Sequence, residues 1–124
     1  MMLDLRRRRI LVVEDEMLLA VGIENEIVDH NGIILGPVTT LEQGLNALRD
    51  MRPDACIINI NLGLDKVYEL ADLLLEQRVP FVFASSERRS NIPDRFAGVP
   101  LHSKPLKMIE AAATLLQVGV SQAG

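Results

Sequence analysis

The sequence predicts an open α/β fold, a parallel sheet of five short strands covered by helices on both faces. Three observations carry this. Short apolar runs rich in β-branched residues alternate five times with stretches of helical periodicity. The first run, ILVV at 10–13, shows no apolar–polar alternation, as expected of a parallel strand covered on both sides. Parallel neighbours need a crossover, which a helix supplies, and Pro, Gly or Asn marks the boundaries between runs.

The elements follow in order. Residues 10–13 form the first strand. From 17 to 30, Leu19, Ala20, Ile23, Ile27 and Val28 recur at helical spacing; Glu24, Glu26 and Asp29 make the polar side, and His30-Asn31-Gly32 gives a stop. Residues 33–38 predict a second strand, with Pro37 indicating a sheet edge. A threonine cap then opens a second helix with Leu41, Leu45 and Leu48 in register. ACIINI (55–60) is the third strand. The loop NLGLD (61–65) leads into a third helix with Val67, Leu70, Ala71 and Leu74 on one face. Pro80 introduces the fourth strand, FVFAS (81–85), and VPLHS (99–103) is a short fifth. Between these, SERRSNIPDRFAG (86–98) contains Pro93 and Gly98 and only a weak helical pattern, so it reads as a loop with at most a turn or two of helix. The last helix spans 106–118.

A chain of 124 residues suits one compact domain. At 48% hydrophobic and 24% charged, with Cys56 alone inside an apolar run, it is no disulfide scaffold and fits a reducing compartment. No apolar run approaches the roughly 20 residues of a membrane span, and MMLDLRRRR lacks the apolar segment of a secretory signal, so the expected location is the cytoplasm. The net charge of −4 argues against a nucleic-acid partner. Arg6 to Arg9 read as a solvated arm. The expected organisation is an N-terminal arm at 1–9, a domain at 10–118 and a tail at 119–124.

In an open α/β sheet, ligands bind beyond the carboxyl ends of the strands. The residues there are Glu14, Asp15, Asn59, Ser85 and Lys104. Two adjacent acids are costly to bury and tolerate each other only beside solvent, a cation or a metal. Lys104 is one candidate cation; a hard ion such as Mg²⁺, which favours oxygen ligands, is the other. Taken singly, each residue has a plainer explanation. The acids could open a helix, Ser85 could cap the next segment, and Lys104-Pro105 is an ordinary helix boundary. His30 and His102 have no partner at ligand spacing and read as structural or exposed.

Together, ILVVEDE, PDACIININLG, VPFVFASS and LHSKP resemble the receiver domain of two-component response regulators, over 10–118 of the chain. The resemblance implies a flavodoxin-like (βα)5 three-layer sandwich with strand order 2-1-3-4-5, here with its fourth helix shortened. It also implies a signalling protein and not an enzyme, with no catalytic residues of its own. In that family the first-strand acids hold Mg²⁺, an aspartate after the third strand accepts a phosphoryl group from a histidine kinase, and a Ser or Thr and a Lys after the next strands contact it. Carried over, Glu14 and Asp15 form the acid pocket and Asn59 stands at the phosphoacceptor position. Asn61 offers a metal-facing backbone carbonyl, and Ser85 and Lys104 sense the phosphate. Asp15, Asn59 and Asn61 would be the metal set. Leu101 stands where an aromatic switch residue is usual, which argues against an aromatic rotamer switch.

The amide is the largest departure. A carboxamide oxygen is neutral and weakly nucleophilic, and its NH₂ is a donor unsuited to a cation. Phosphotransfer to Asn59 is therefore not expected. Mg²⁺ binding is expected to be weak for want of charge, with Lys104 near Asp15 or Asn59 in its place. The leading expectation is a stand-alone, degenerate receiver acting through protein–protein contact with a histidine kinase or another signalling protein. Two alternatives stay open: a true phosphoacceptor whose aspartate has been replaced by engineering, or a small flavodoxin-like ligand-binding protein, the latter without a Gly-rich phosphate loop. The charge-free end of the last helix suggests where contact occurs. If Ile109, Ala112, Ala113 and Leu116 face inward, then Met108, Ala111 and Leu115 lie outside beside Leu101 as an apolar interface for a partner or a homodimer.

Overall fold

The computed structural model describes residues 3–116. Five parallel strands make the main sheet: β1 (Arg9–Val13), β2 (Ile33–Val38), β3 (Ala55–Ile58), β6 (Phe81–Ala84) and β7 (Leu101–His102). Their order is β2-β1-β3-β6-β7, which is 2-1-3-4-5 when these strands alone are counted. The helices are α1 (Met17–Asp29), α2 (Leu41–Met51), α3 (Tyr68–Glu76) and α4 (Met108–Leu115). A two-stranded antiparallel hairpin, β4 (Asn61–Leu62) with β5 (Asp65–Lys66), stands apart from the sheet.

Successive residues of a strand point to opposite faces, and each face has its own core. Leu11, Val13, Cys56, Ile58 and Phe83 pack toward α2 and α3 with Ala47, Leu48, Leu70 and Leu74. Ile10, Val12, Ile57, Val82 and Ala84 pack toward α1 and α4 with Ile23, Ile27, Met108 and Leu115. Burial on both faces explains why the central strands read as unbroken apolar runs. Pro37 lies on the edge strand, as expected. Thr40 caps α2, its side chain accepting from the Gln43 N–H at 3.1 Å.

Between β6 and β7 there are only two single turns of 3₁₀ helix, Arg89–Asn91 and Asp94–Phe96. Phe96 anchors this loop in the core. It is fully buried, stacked on Tyr68 at 5.4 Å and edge-on to Phe83 at 5.8 Å. The Arg89 guanidinium ties the loop by donating to the carbonyls of Phe96 (3.2 Å) and Val99 (2.7 Å).

Two expectations are corrected. Arg6 and Arg7 are exposed, as expected, but residues 3–9 are not a detached arm: Leu5 is fully buried, its N–H donates to the His30 carbonyl at 2.7 Å, and Arg9 already belongs to β1. The last helix is also rotated from its expected phase, although Ala112 is buried as expected and Leu116 is partly buried against the same core. Met108, Ala111, Ala112 and Leu115 are the buried stripe, whereas Ile109 is 75% exposed and Ala113 is exposed. Leu106, expected inside the helix, lies buried in the extended segment before it. Leu101 packs with the core on the opposite face of the sheet, so the proposed interface of Leu101, Met108, Ala111 and Leu115 does not exist as a surface. Both stripes of this helix are apolar, so hydrophobicity could not choose between them. The expected tail at 119–124, and 117–118 of the predicted helix, lie outside the described residues.

Candidate functional site

The sheet register assembles the site. Val13 pairs with Ile58, so the chains leave β1 and β3 side by side and bring Glu14 next to Asn59. The Asn59 N–H continues the ladder to the Val13 carbonyl at 2.9 Å, and the Glu14 N–H does the same to Val38 at 2.9 Å. Ile58 pairs with Phe83 and Ala84 with His102, which delivers Ser85 and then Lys104 to the same edge. Glu14, Asn59 and Ser85 are the buried polar side chains of the described residues.

The Asn59 amide faces acceptors only. Its Nδ2 donates to the Asn61 carbonyl at 2.8 Å and to Glu14 Oε2 at 3.1 Å, with Asp15 Oδ1 at 3.4 Å. Carboxylates and a carbonyl offer no protons, so the nitrogen, and not the amide oxygen, must point at them. The other Glu14 oxygen forms an ion pair with Lys104 Nζ at 3.0 Å, and the same ammonium reaches Glu16 Oε1 at 3.3 Å. The Gly63 N–H donates to Asp15 Oδ2 at 2.9 Å. Desolvation raises the Asp15 carboxyl, but hydrogen bonds led by that from Gly63 outweigh it and hold the group below the ordinary carboxylate range.

The hairpin lies across this site, secured by a second polar cluster. Asn61 Nδ2 donates to Glu87 Oε2 at 3.2 Å and Asn91 Nδ2 donates to Glu87 Oε1 at 2.9 Å. Lys66 Nζ bonds Asn61 Oδ1 and pairs with Glu87 Oε2 at 3.4 Å. Hydrogen bonds from Asn91 and Asn61, then Lys66, push Glu87 down to about 2. Ser85 Oγ accepts from the Glu87 N–H at 3.2 Å.

Glu14, Asp15, Asn59 and Asn61 thus converge, with Ser85 and Lys104 at the same edge. Lys104 makes its ion pairs with Glu14 and Glu16, a different choice from the expected Asp15 or Asn59: the fully buried carboxylate has the greater need of a cation. Sequence reasoning missed Glu16, Lys66, Glu87, Asn91 and the hairpin. The available signal was Gly63, which adopts φ +61 at the first central position of the two-residue turn, where type II′ hairpins place glycine.

No family model and no curated protein matches the sequence. Solved structures do. SdrG from Sphingomonas melonis Fr1 is 34% identical, covering 88% of this chain and 96% of that one, with a TM-score of 0.77. The signal receiver domain of a putative Luxo repressor protein from Vibrio parahaemolyticus (17% identical, 94% and 96% covered, TM-score 0.80) shares the fold. So does the REC domain of the Erythrobacter litoralis response regulator PhyR (20% identical, 91% and 90% covered, TM-score 0.72). The chain belongs to the receiver-domain family of two-component response regulators.

The residues present do not suit the Mg²⁺ of that family. Carboxylate oxygens of Glu14, Asp15 and Glu16 do lie within 4.8 Å of one another. The space bordered by Glu14 Oε2, Asp15 Oδ1 and the Asn61 carbonyl is nevertheless taken by Asn59 Nδ2, a donor with no lone pair for a cation. Among the described residues, no helix is long and apolar enough to cross a membrane.

Proposed function

We propose that this receiver domain works through protein contact alone and does not accept a phosphoryl group. The observation that carries the reading is the amide at the end of β3: Asn59 presents its NH₂ to both first-strand acids, where an acceptor would present a charged oxygen. Its partner is a histidine kinase or another protein of the same signalling system, bound without phosphotransfer and without a requirement for Mg²⁺. The proposed setting is the cytoplasm, as the free, buried thiol of Cys56 suggests.

Retention of Ser85 and Lys104 around the amide supports a second reading, in which the site is a phosphoacceptor altered at one position. Incubation with acetyl phosphate and Mg²⁺ followed by intact-mass measurement separates the two. The chain as it stands should keep its mass, and Asn59→Asp should gain one phosphoryl group. A phosphoryl gain on the unaltered chain, at any residue, contradicts the proposal. An inert Asn59→Asp leaves the contact-only reading and removes the second.

A further inference from the structure

We infer that the Asn59 amide nitrogen is a built-in stand-in for a metal cation, so that the acid pocket is complete and closed with neither metal nor phosphoryl group. The inference deepens the proposed function and rests on Asn59 being a non-acceptor. A shortage of negative charge alone would leave the metal position open but weakly held. The geometry points to a different cause: the position is filled.

Glu14 is buried almost completely, and a buried carboxylate must be compensated from within. Its two oxygens are compensated separately, Oε2 by the Asn59 NH₂ at 3.1 Å and Oε1 by the Lys104 ammonium at 3.0 Å. The amide also spans to Asp15 Oδ1 and to the Asn61 carbonyl. These are the kinds of oxygen a hard divalent ion would gather at about 2.1 Å, so an ion and the NH₂ group in this orientation cannot share the space. An amide nitrogen carries only partial positive charge, but its protons are fixed on a side chain that is itself 5% exposed, so it needs no recruitment from solvent.

The same contacts hold the mouth of the site. Asn59 pins the first residue of the hairpin through the Asn61 carbonyl, and Asp15 pins its turn through the Gly63 N–H. From there Asn61 and Lys66 reach Glu87, whose N–H engages Ser85 Oγ. Amide, acids, hairpin and the hydroxyl at the end of β6 form one continuous network. A domain so connected stays in one conformation whether or not a divalent ion is present.

The test is a Mn²⁺ titration of ¹⁵N-labelled protein, read as paramagnetic broadening at the Asp15, Asn61 and Gly63 amides, for the unaltered chain, Asn59→Ala and Asn59→Asp. Removing an internal competitor worth about one hydrogen bond should shift affinity about tenfold. Both variants should therefore broaden at these positions at about one-tenth of the Mn²⁺ that the unaltered chain needs. Equal broadening of the unaltered chain and Asn59→Ala overturns the inference, as does an Asn59→Ala pocket that never broadens. If Asn59→Ala does not fold, equality between the unaltered chain and Asn59→Asp overturns it instead. Tight Mn²⁺ binding by the unaltered chain would leave its mass after acetyl phosphate unchanged, so this failure is distinct from failure of the contact-only reading.

Discussion

Replacing Asn59 by aspartate exchanges an NH₂ group for an oxygen at the centre of three acceptors, with the former donor distances at 2.8, 3.1 and 3.4 Å. Each attraction becomes a repulsion. At an effective dielectric of about 20, two carboxylates about 3 Å apart repel by roughly 5 kcal/mol. The variant has an escape, since one carboxyl can take up a proton; for a group of ordinary pKa about 3.9 this costs roughly 4 kcal/mol at pH 7, which caps the penalty. Lys104, already on Glu14, offsets part of it. The expected loss is about 2–4 kcal/mol at pH 7 in the absence of divalent ions. At about 4 °C per kcal/mol for a domain of this size, Tm falls by roughly 10 °C. Mg²⁺ should recover most of the loss in Asn59→Asp and leave the unaltered chain where it was. Thermal unfolding followed by circular dichroism, in EDTA and then in excess Mg²⁺, measures both effects. If Asn59→Asp in EDTA melts with the unaltered chain, or if Mg²⁺ raises the two equally, the Asn59 amide is not relieving repulsion between the acids.

Glu87 sits at about 2 against an ordinary 4.5, held down first by Asn91, then by Asn61 and Lys66. A carboxyl depressed on folding stabilises the fold above 4.5, and that contribution is lost as pH falls from there through about 2. Glu87→Gln should flatten this acid limb in urea midpoints measured across pH; an unchanged slope would show that the hairpin clasp does not couple to folding. Leu115→Glu should unfold the domain or cost more than about 4 kcal/mol, because it places a charge in the core between α4 and the sheet. Ile109→Glu, one helical face away and 75% exposed, should change stability by less than about 0.5 kcal/mol. Equal stability of these two variants in chemical denaturation would mean the helix phase described above is wrong.

The alternation of strands and helices was legible because burial on both sheet faces leaves a strong mark: the apolar runs at 10–13, 55–58 and 81–84 have no polar interruptions, and each contributes a buried strand. The edge position of Pro37 and the loss of a helix before β7 were legible from proline chemistry. The phase of α4 was not. Its polar residues, Glu110 and Thr114, leave two apolar stripes on either side of the face opposite them, and packing on β3 and β6 selects Met108 and Leu115 over Ile109. The hairpin escaped because two-residue strands carry no periodicity. At the site, the side chains after each strand could be named from sequence, but their pairing could not. That Lys104 serves Glu14 and Glu16, and that an amide nitrogen bridges both acids, depends on strand register and side-chain reach, which spacing alone does not specify.

A site complete without metal or phosphoryl group should ignore beryllofluoride, which mimics a phosphoryl group on a carboxylate. Amide spectra of the ¹⁵N-labelled chain should superimpose before and after addition of Mg²⁺ with beryllofluoride, at Asn59, Ser85, Glu87 and Lys104 alike. Asn59→Asp under the same conditions should show shifts spreading from the end of β3 to those residues. Shifts of that pattern in the unaltered chain would show that its site still takes up metal and a phosphoryl mimic.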